Sequence, residues 1–223
     1  NLGVDVLDLV QLHCPPSATI DDDATWDALD TLVADGAVAA YGVSVETCDQ
    51  ALAALARPGC ASVQIILNAF RLKPLDRVLP AAREAGVGIL ARVPLASGLL
   101  SGKYDETTTF AEDDHRHYNR DGSAFDVGET FAGVDYAIGV EAAREFSALV
   151  RAHGPDGATP AQVALAWCAQ QEGVSTVIPG ARSPEQARAN AAAGELPALS
   201  PALLEGVRDL YDTRLREQVH TRW

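Results

Sequence analysis

The sequence has no methionine, few aromatic residues and far fewer basic than acidic side chains. Of its 223 residues, 17 are lysine or arginine and 31 are aspartate or glutamate, so its formal net charge is −14. Nucleic acids are bound by clustered lysines and arginines, and this charge balance argues against such a partner. An anionic ligand would have to be held by local features of the chain rather than by its overall field.

Long apolar runs and paired cysteines are also missing. No run approaches the roughly 18 apolar residues that indicate a membrane span, and no signal peptide opens the chain. The cysteines lie far apart without a C-x-x-C pair, which supports neither a zinc site nor a disulfide framework. The mixed charges of residues 113–117 predict a solvated loop rather than a metal site. These absences predict a cytoplasmic protein with no metal site and no membrane partner.

The chain lacks an initiating methionine as well, and it begins at Asn1 directly before an apolar run. A domain rarely starts on its most apolar strand without a preceding turn. We therefore expect the chain to be a fragment whose N-terminal part is missing.

Short apolar runs recur at intervals of about 25 residues, and amphipathic stretches separate them. Their limited polar alternation is typical of parallel strands that are covered on both faces. The runs are Val4–Leu12, Val38–Val45, Ser62–Leu67, Val87–Val93 and Val174–Ile178. Helix start signals lie in the gaps, including the capping boxes Thr47–Gln50 and Thr159–Gln162. Ser200 and Pro201 start an extra helix near the end of the chain, which we expect to run to about Asp212.

This alternation predicts an α/β fold with a parallel sheet in one domain, 1–223, either an open doubly wound sheet or a barrel. Because a barrel has eight strands, five strands predict an incomplete (β/α)8 TIM barrel with about three βα units upstream of Asn1. The open sheet remains an alternative, although His13 and the prolines after it stand where a glycine-rich turn is usual. The polar stretch Ser101–Tyr136 predicts a long loop on the C-terminal, catalytic face.

The segment Val177–Gln186 is the strongest local feature. A strand ends, Gly180 permits a tight turn, Arg182 follows, and Ser183 caps a new helix. Free N–H groups at a helix start and a nearby guanidinium suit a phosphate, which barrels often bind after their last strands. The alternative is a well-capped junction with a solvated arginine.

Polar residues also follow other apolar runs. His13 ends the first run, where barrel side chains point into the active site, so it is a candidate to exchange a proton or to bond a carbonyl oxygen. A rim histidine held by hydrogen bonds is an equal alternative. Ser44, Gln64 and Asn68 suit either a planar amide ligand or helix capping.

The small residues between Arg92 and Lys103 allow a ligand to approach the backbone closely, and Lys103 is a candidate phosphate contact. Trp26 and Trp167 lie on apolar helix faces and are expected in the core. Asp8 lies inside an apolar run, where we expect a buried ion pair or hydrogen bond.

Together and in this order, these pieces resemble the aldo-keto reductase family over essentially the whole chain. The segment that ends at His13 is similar to the strand carrying the family's catalytic histidine. Ser44 and Gln64 match the residues that bind the nicotinamide carboxamide, and Arg92 falls where a ring or an arginine packs on the nicotinamide. The stretch Asn119–Gly133 and the last five residues look closest to a bacterial branch related to glyceraldehyde-3-phosphate reductases.

The resemblance also implies two phosphate-binding segments. Residues 94–103 resemble the family's pyrophosphate loop, and residues 178–186 with Asn190 resemble its site for the 2′-phosphate and adenine. The implied NADP(H) site comprises Ser44, Gln64, Arg92, Val93, Pro94, Leu95, Ala96, Ser97, Lys103, Gly180, Arg182, Gln186 and Asn190.

The resemblance implies an enzyme that reduces aldehydes or ketones to alcohols with NADPH. The family's catalytic residues are Asp, Tyr, Lys and His, and only His13 has a counterpart here, because the other three lie in the first three βα units. We therefore expect this chain alone to be nearly inactive. Val45 also replaces the asparagine that usually follows Ser44. The alternative is a catalytically inactive NADP-binding or regulatory barrel; an isomerase or aldolase is disfavoured, because no strand ends on a candidate catalytic lysine or glutamate.

Overall fold

The predicted apolar runs form a parallel sheet in the computed structural model, which describes residues 2–223. The strands are β1 (Val10–His13), β2 (Tyr41–Ser44), β3 (Cys60–Ile66), β4 (Gly88–Arg92) and β5 (Val174–Val177). Their order in the sheet follows the chain. A doubly wound sheet reverses its strand order at a switch point, so the sequential order observed here is that of a barrel segment.

Helices cover one face of this sheet. They are α1 (Ser17–Asp21), α2 (Asp23–Ala34), α3 (Cys48–Leu55), α4 (Pro74–Ala85), α5 (His115–Tyr118), α6 (Tyr136–His153), α7 (Pro160–Ala169), α8 (Pro184–Ala192), α9 (Pro201–Leu210) and α10 (Arg216–Val219). Both predicted capping boxes are confirmed, since Thr47 and Thr159 each accept a hydrogen bond from the backbone of the glutamine three residues on. None of the helices in residues 2–223 is long and apolar enough to cross a membrane.

The hydrophobic core lies between the sheet and its helices. Val43, Val63 and Ile89 point toward the helices and are fully buried. Trp26 and Trp167 lie in this core, as predicted, with exposed fractions of 4% and 3%. Trp26 also donates its indole N–H to the Ile20 carbonyl at 2.7 Å, which satisfies its polar atom.

The first apolar run forms a shorter strand than predicted. β1 begins at Val10 rather than at Val4, and before it a single bridge joins Leu7 to Val38. In the part of the chain that the structure describes, β1 pairs with β2 alone, so the residues before it have no second neighbour to cover them. Val4 is 59% exposed, and Asp8 is exposed as well, so the expectation of a buried partner for Asp8 was wrong.

The long connection between β4 and α6 is packed in part. Asp114 caps the short helix α5 and pairs with Arg116, so residues 114–116 are half-buried, whereas Asp113 and His117 are exposed, as the prediction of a solvated loop requires. Phe131 is 2% exposed and packs against Phe110 and Tyr136. The aromatic residues of this segment are spaced irregularly, and periodicity therefore could not reveal their clustering.

The end of the chain also departs from the predicted single helix. After α9 the backbone continues through one π-helical turn, Tyr211–Leu215, into α10 rather than stopping near Asp212. This continuation carries Trp223 back to the long connection between β4 and α6.

Candidate functional site

One face of the sheet is polar near the carboxyl ends of its strands. His13, Ser44 and Gln64 pair in one row of the register, so their side chains lie on the same face. This face is the one turned away from the core, and His13 is exposed on it. The structure therefore brings these three predicted site residues together, while their binding roles stay predictions.

Backbone strain is concentrated at the same edge. Cys14, Val93, Ala96 and Ser97 have φ values of 43°, 52°, 48° and 54°. Left-handed values cost a non-glycine residue about 1 kcal/mol or more. Cys14 directly follows β1 and Val93 directly follows β4, so the strain lies where a barrel has its active site.

Asn68 stabilises one of these strained residues. Its side-chain nitrogen donates to the Val93 carbonyl at 2.9 Å, and its side-chain oxygen accepts from the Phe70 N–H at 2.9 Å. Asn68 is completely buried. Of the two roles left open by the sequence, ligand contact and local capping, this geometry favours the structural one.

Ser44 connects the ends of β1 and β2. Its Oγ accepts from the Cys14 N–H at 2.9 Å and lies 3.3 Å from His13 Nδ1. The same hydroxyl lies 3.4 Å from the Leu12 carbonyl and has one proton to donate. The ring proton therefore stands on Nε2, where it can be donated to a carbonyl oxygen, when the hydroxyl donates to Nδ1, and on Nδ1 when the hydroxyl donates to Leu12. Because Ser44 is only 1% exposed, a ligand would meet an edge of its hydroxyl rather than a free side chain.

Gln64 belongs to a chain of hydrogen bonds along the polar face. Its Nε2 donates to Gln11 Oε1 at 2.7 Å, and Gln11 Nε2 donates to Ser62 Oγ at 3.0 Å. Gln11 pairs with Gly42 in the register, and Gly42 pairs with Ser62. The Gln11 side chain therefore crosses β2 over a residue that has no side chain.

Arg92 is buried and held by several groups. Its Nη2 donates to the Val45 carbonyl at 3.0 Å and lies 3.0 Å from the Glu46 carboxylate, while its Nη1 pairs with Glu129. It is only 5% exposed. The guanidinium thus stabilises the segment that follows Ser44 and joins it to the long connection before α6.

Cys14, Glu46 and Glu129 lie close enough together to suggest a metal site, with donor atoms within 4.8 Å of one another. Arg92 stands between the two carboxylates and already supplies a positive charge there. Burial raises the pKa of the Cys14 thiol, so it is not an activated thiolate. We therefore interpret this cluster as an ion-pair network.

The predicted pyrophosphate segment is built largely from backbone. Pro94 and Ala96 are buried, Lys103 is exposed, and residues 96–101 form a tight 3-10 turn. Ser97 Oγ donates to the Glu129 carbonyl and accepts from the Phe131 N–H, both at 3.0 Å. The Ser97 hydroxyl is therefore engaged by the long connection.

A second group of predicted residues follows β5. The Arg182 N–H donates to Gln186 Oε1 at 2.7 Å, and Asn190 Nδ2 donates to the Gly180 carbonyl at 3.1 Å. Gln186 and Asn190 lie on α8, so the helix holds the loop that precedes it. The guanidinium of Arg182 extends from this loop and is exposed.

Sequence reasoning missed a cluster around Arg71. Its Nη2 donates to the Glu46 carbonyl at 2.6 Å, and its guanidinium lies 3.9 Å from the centroid of the Trp223 ring. The Trp223 indole N–H donates in turn to the Asp126 carboxylate at 3.1 Å. Arg71 is 2% exposed. No local sequence pattern predicts such a cluster, because its members are separated by long stretches of chain.

Comparisons with known proteins agree with this architecture. A sequence profile described as the aldo/keto reductase family matches residues 1–212. The aldo-keto reductase str7 of Strobilurus tenacellus is 31% identical over 199 residues, which cover 87% of this chain and 55% of that protein. A probable voltage-gated potassium channel subunit beta of Arabidopsis thaliana is 27% identical and covers 96% of this chain and 64% of that protein.

Solved structures show the same fold. The glycerol dehydrogenase AKR11B4 from Gluconobacter oxydans superposes with a TM-score of 0.73 at 27% identity, covering 100% of this chain and 62% of that one. The chain therefore spans between 55% and 64% of the length of these relatives. Its five strands form a truncated TIM barrel, which confirms the predicted fold class. On the profile match over nearly its whole length, the chain belongs to the aldo/keto reductase family.

Proposed function

We propose that this chain is the cofactor-binding part of an NADP-dependent oxidoreductase that reduces aldehydes or ketones to alcohols. The free guanidinium of Arg182 carries the proposal. Arg182 is one of several lysines and arginines of residues 2–223 that form no ion pair, and it directly precedes Ser183, the N-cap of α8. A guanidinium beside a helix N-terminus suits the 2′-phosphate that distinguishes NADPH from NADH.

The remaining residues fit the other parts of such a cofactor. In the proposed arrangement Pro94 to Ser97 and Lys103 contact the pyrophosphate, while Gln186 and Asn190 support the adenine side. Ser44 and Gln64 orient the nicotinamide carboxamide, with Arg92 beside the ring. The strained backbone at Val93 and Ala96 supports this, because such strain is retained where a ligand must be met closely.

His13 has a different role in the proposal. When bound, the cofactor supplies the hydride, and the protein supplies position and a proton. His13 is exposed at the end of β1, and Ser44 orients its imidazole. We infer that His13 Nε2 donates to the oxygen of the carbonyl substrate and so helps to hold that group in place.

The test is to compare two cofactors on one substitution. Arg182→Ala should weaken NADPH binding about tenfold or more, which corresponds to ~1.4 kcal/mol, and leave NADH affinity nearly unchanged. Arg188→Ala is the matched control, since Arg188 is also exposed on α8 but faces Glu185 at 3.9 Å. Equal losses for both cofactors in Arg182→Ala would refute the proposed role.

A second candidate function is a nucleotide-binding barrel without catalysis. The observation that supports this second candidate is the similarity to a probable voltage-gated potassium channel subunit beta, which covers 96% of this chain. Turnover of NADPH with a panel of aldehydes and ketones separates the two. Consumption at about 1 per second by the protein that contains the family's Asp, Tyr and Lys supports the reductase. Tight binding with no turnover on any carbonyl supports the regulatory alternative.

A further inference from the structure

The side chain of Gln11 occupies an unusual position on the polar face of the sheet. It starts on β1 and reaches Ser62 on β3 by passing over Gly42 on β2. A Cβ atom at Gly42 would overlap both the hydroxyl and the backbone carbonyl of Ser62. The glycine therefore keeps open the space through which Gln11 contacts β3.

The hydrogen bonds made by Gln11 have a direction. A primary amide has a nitrogen that only donates and an oxygen that only accepts. Since Gln11 Nε2 donates to Ser62, its Oε1 faces Gln64 and accepts from Gln64 Nε2 at 2.7 Å. With its Nε2 held at Gln11, Gln64 turns Oε1 to the opposite side of the amide, where this oxygen is free to accept from a ligand, and Nε2 keeps one further N–H.

We propose that Gln11 is a positioning residue that orients the Gln64 amide, so that Gln64 Oε1 accepts a hydrogen bond from the amide nitrogen of a nicotinamide carboxamide. The inference rests on the proposed function, because it assumes that Gln64 meets this group. Gln11 itself lies two residues before His13 on β1, toward the amino end of the strand, and acts through Gln64 alone. A flipped Gln64 would present a donor to the donor nitrogen of the carboxamide, and that pairing has no hydrogen bond.

The experiment uses NADPH and its 3-acetylpyridine analogue, in which a methyl ketone replaces the carboxamide and the amide nitrogen is absent. Gln11→Met removes the acceptor that fixes Gln64 while keeping a similar volume. We expect it to weaken NADPH binding about tenfold and the analogue less than about twofold, since one hydrogen bond contributes of this order. Gln11→Glu retains an acceptor for Gln64 Nε2, and we expect its NADPH affinity to stay within about threefold of the starting protein.

Two controls separate positioning from general damage. Gln171→Met removes another half-buried glutamine, which donates to the Trp167 carbonyl at 2.8 Å on the helical side, and it should leave both affinities unchanged. Ser62→Ala removes the partner of Gln11 Nε2 and should lower NADPH affinity selectively, like Gln11→Met.

The outcomes are distinguishable. Equal loss of NADPH and analogue binding in Gln11→Met, or no loss of either, would overturn the inference while leaving the proposed function intact. Failure of the unsubstituted protein to bind NADPH would overturn the proposed function and this inference with it. Loss of NADPH affinity but not of analogue affinity in Gln11→Met, together with nearly unchanged NADPH affinity in Gln11→Glu, supports both.

Discussion

Glu129 and Arg92 form an ion pair that connects the long segment before α6 to the end of β4. Glu46 pairs with the other terminal nitrogen of the same guanidinium, with its Oε2 3.0 Å from Arg92 Nη2. One buried cation thus separates two partly buried carboxylates. Removing the cation should therefore destabilise the protein more than removing one of the two carboxylates.

We predict that Arg92→Met destabilises the protein more than Glu129→Gln does. The first change leaves Glu46 and Glu129 facing each other without a cation, at a cost of about 3 kcal/mol, whereas the second leaves Arg92 paired with Glu46 at a cost of about 1 kcal/mol. Urea unfolding of both variants measures these differences. Similar losses, or a larger loss in Glu129→Gln, would contradict the assignment of Arg92 as the central charge.

Trp223 is predicted to secure the long segment through its indole N–H. Trp223→Phe keeps an aromatic ring over Arg71 but loses the donor to Asp126, so it should cost about 1.5–3 kcal/mol. Hydrogen exchange should accelerate at Gly128 and Gly133, which lie against the Trp223 ring. Leu204→Ala, an exposed change on α9, serves as the control and should leave that exchange unchanged. Unaltered exchange in Trp223→Phe would argue that packing alone holds the segment.

Gly42 is predicted to be irreplaceable by alanine. The added Cβ would overlap the Ser62 backbone carbonyl, which cannot rotate away as a side chain can. We expect Gly42→Ala to destabilise the protein by about 2 kcal/mol or more, in the range of overpacked sites. Gly194→Ala provides the comparison, because nothing lies within 4 Å of a Cβ there and its φ is not left-handed. The melting temperature of Gly42→Ala should be clearly lower than that of Gly194→Ala, and equal melting temperatures would contradict this prediction.

His220 is predicted to make stability fall on mild acidification. Burial lowers the pKa of His220, and the positive charges of Arg216 and Lys73 add to this, while Asp76 and Asp212 oppose it. The neutral ring accepts from the Tyr211 hydroxyl at its Nδ1, at 3.0 Å, and faces Asp76 at its Nε2, at 3.2 Å.

The sign of the effect follows from proton binding. The unfolded chain takes up a proton at His220 near pH 6.5, and the folded chain does so at lower pH. Below that value the unfolded state holds more protons, so the free energy of unfolding decreases as the pH falls from about 7 toward the folded pKa. His220→Gln should flatten this part of the stability profile. An unchanged slope between pH 7 and pH 5 would show that other groups cause it.

Local patterns predicted most of the individual elements. The capping boxes at Thr47 and Thr159 depend on residues three apart, and the apolar strands depend on neighbouring side chains, so both are readable from short stretches. The same locality explains the grouping of Gly180, Arg182, Gln186 and Asn190, which a single loop and helix hold together. The strand count and the resemblance predicted an incomplete barrel, and the sequential strand order in the structure removed the open-sheet alternative.

The errors arose where a residue's surroundings come from distant parts of the chain. Val4 and Asp8 look like strand residues, but their burial depends on a neighbouring strand rather than on the run itself. Residues 113–117 were expected to be solvated, and the ends of this segment are, but Arg116 packs on the Phe110 ring and the middle of the segment is half-buried.

The sequence by itself determined the parallel α/β fold, the starts of the capped helices and the positions of the candidate polar residues along the chain. Only the tertiary structure decided which atoms those residues leave free. Gln64 keeps its oxygen free because Gln11, from β1, accepts from its nitrogen and is itself held by Ser62, two residues before Gln64 on β3. Arg92 is enclosed because Glu46 and Glu129, which are far apart in the chain, pair with its two terminal nitrogens. Hydrogen-bond direction and charge pairing depend on distance in space, which a linear pattern does not contain.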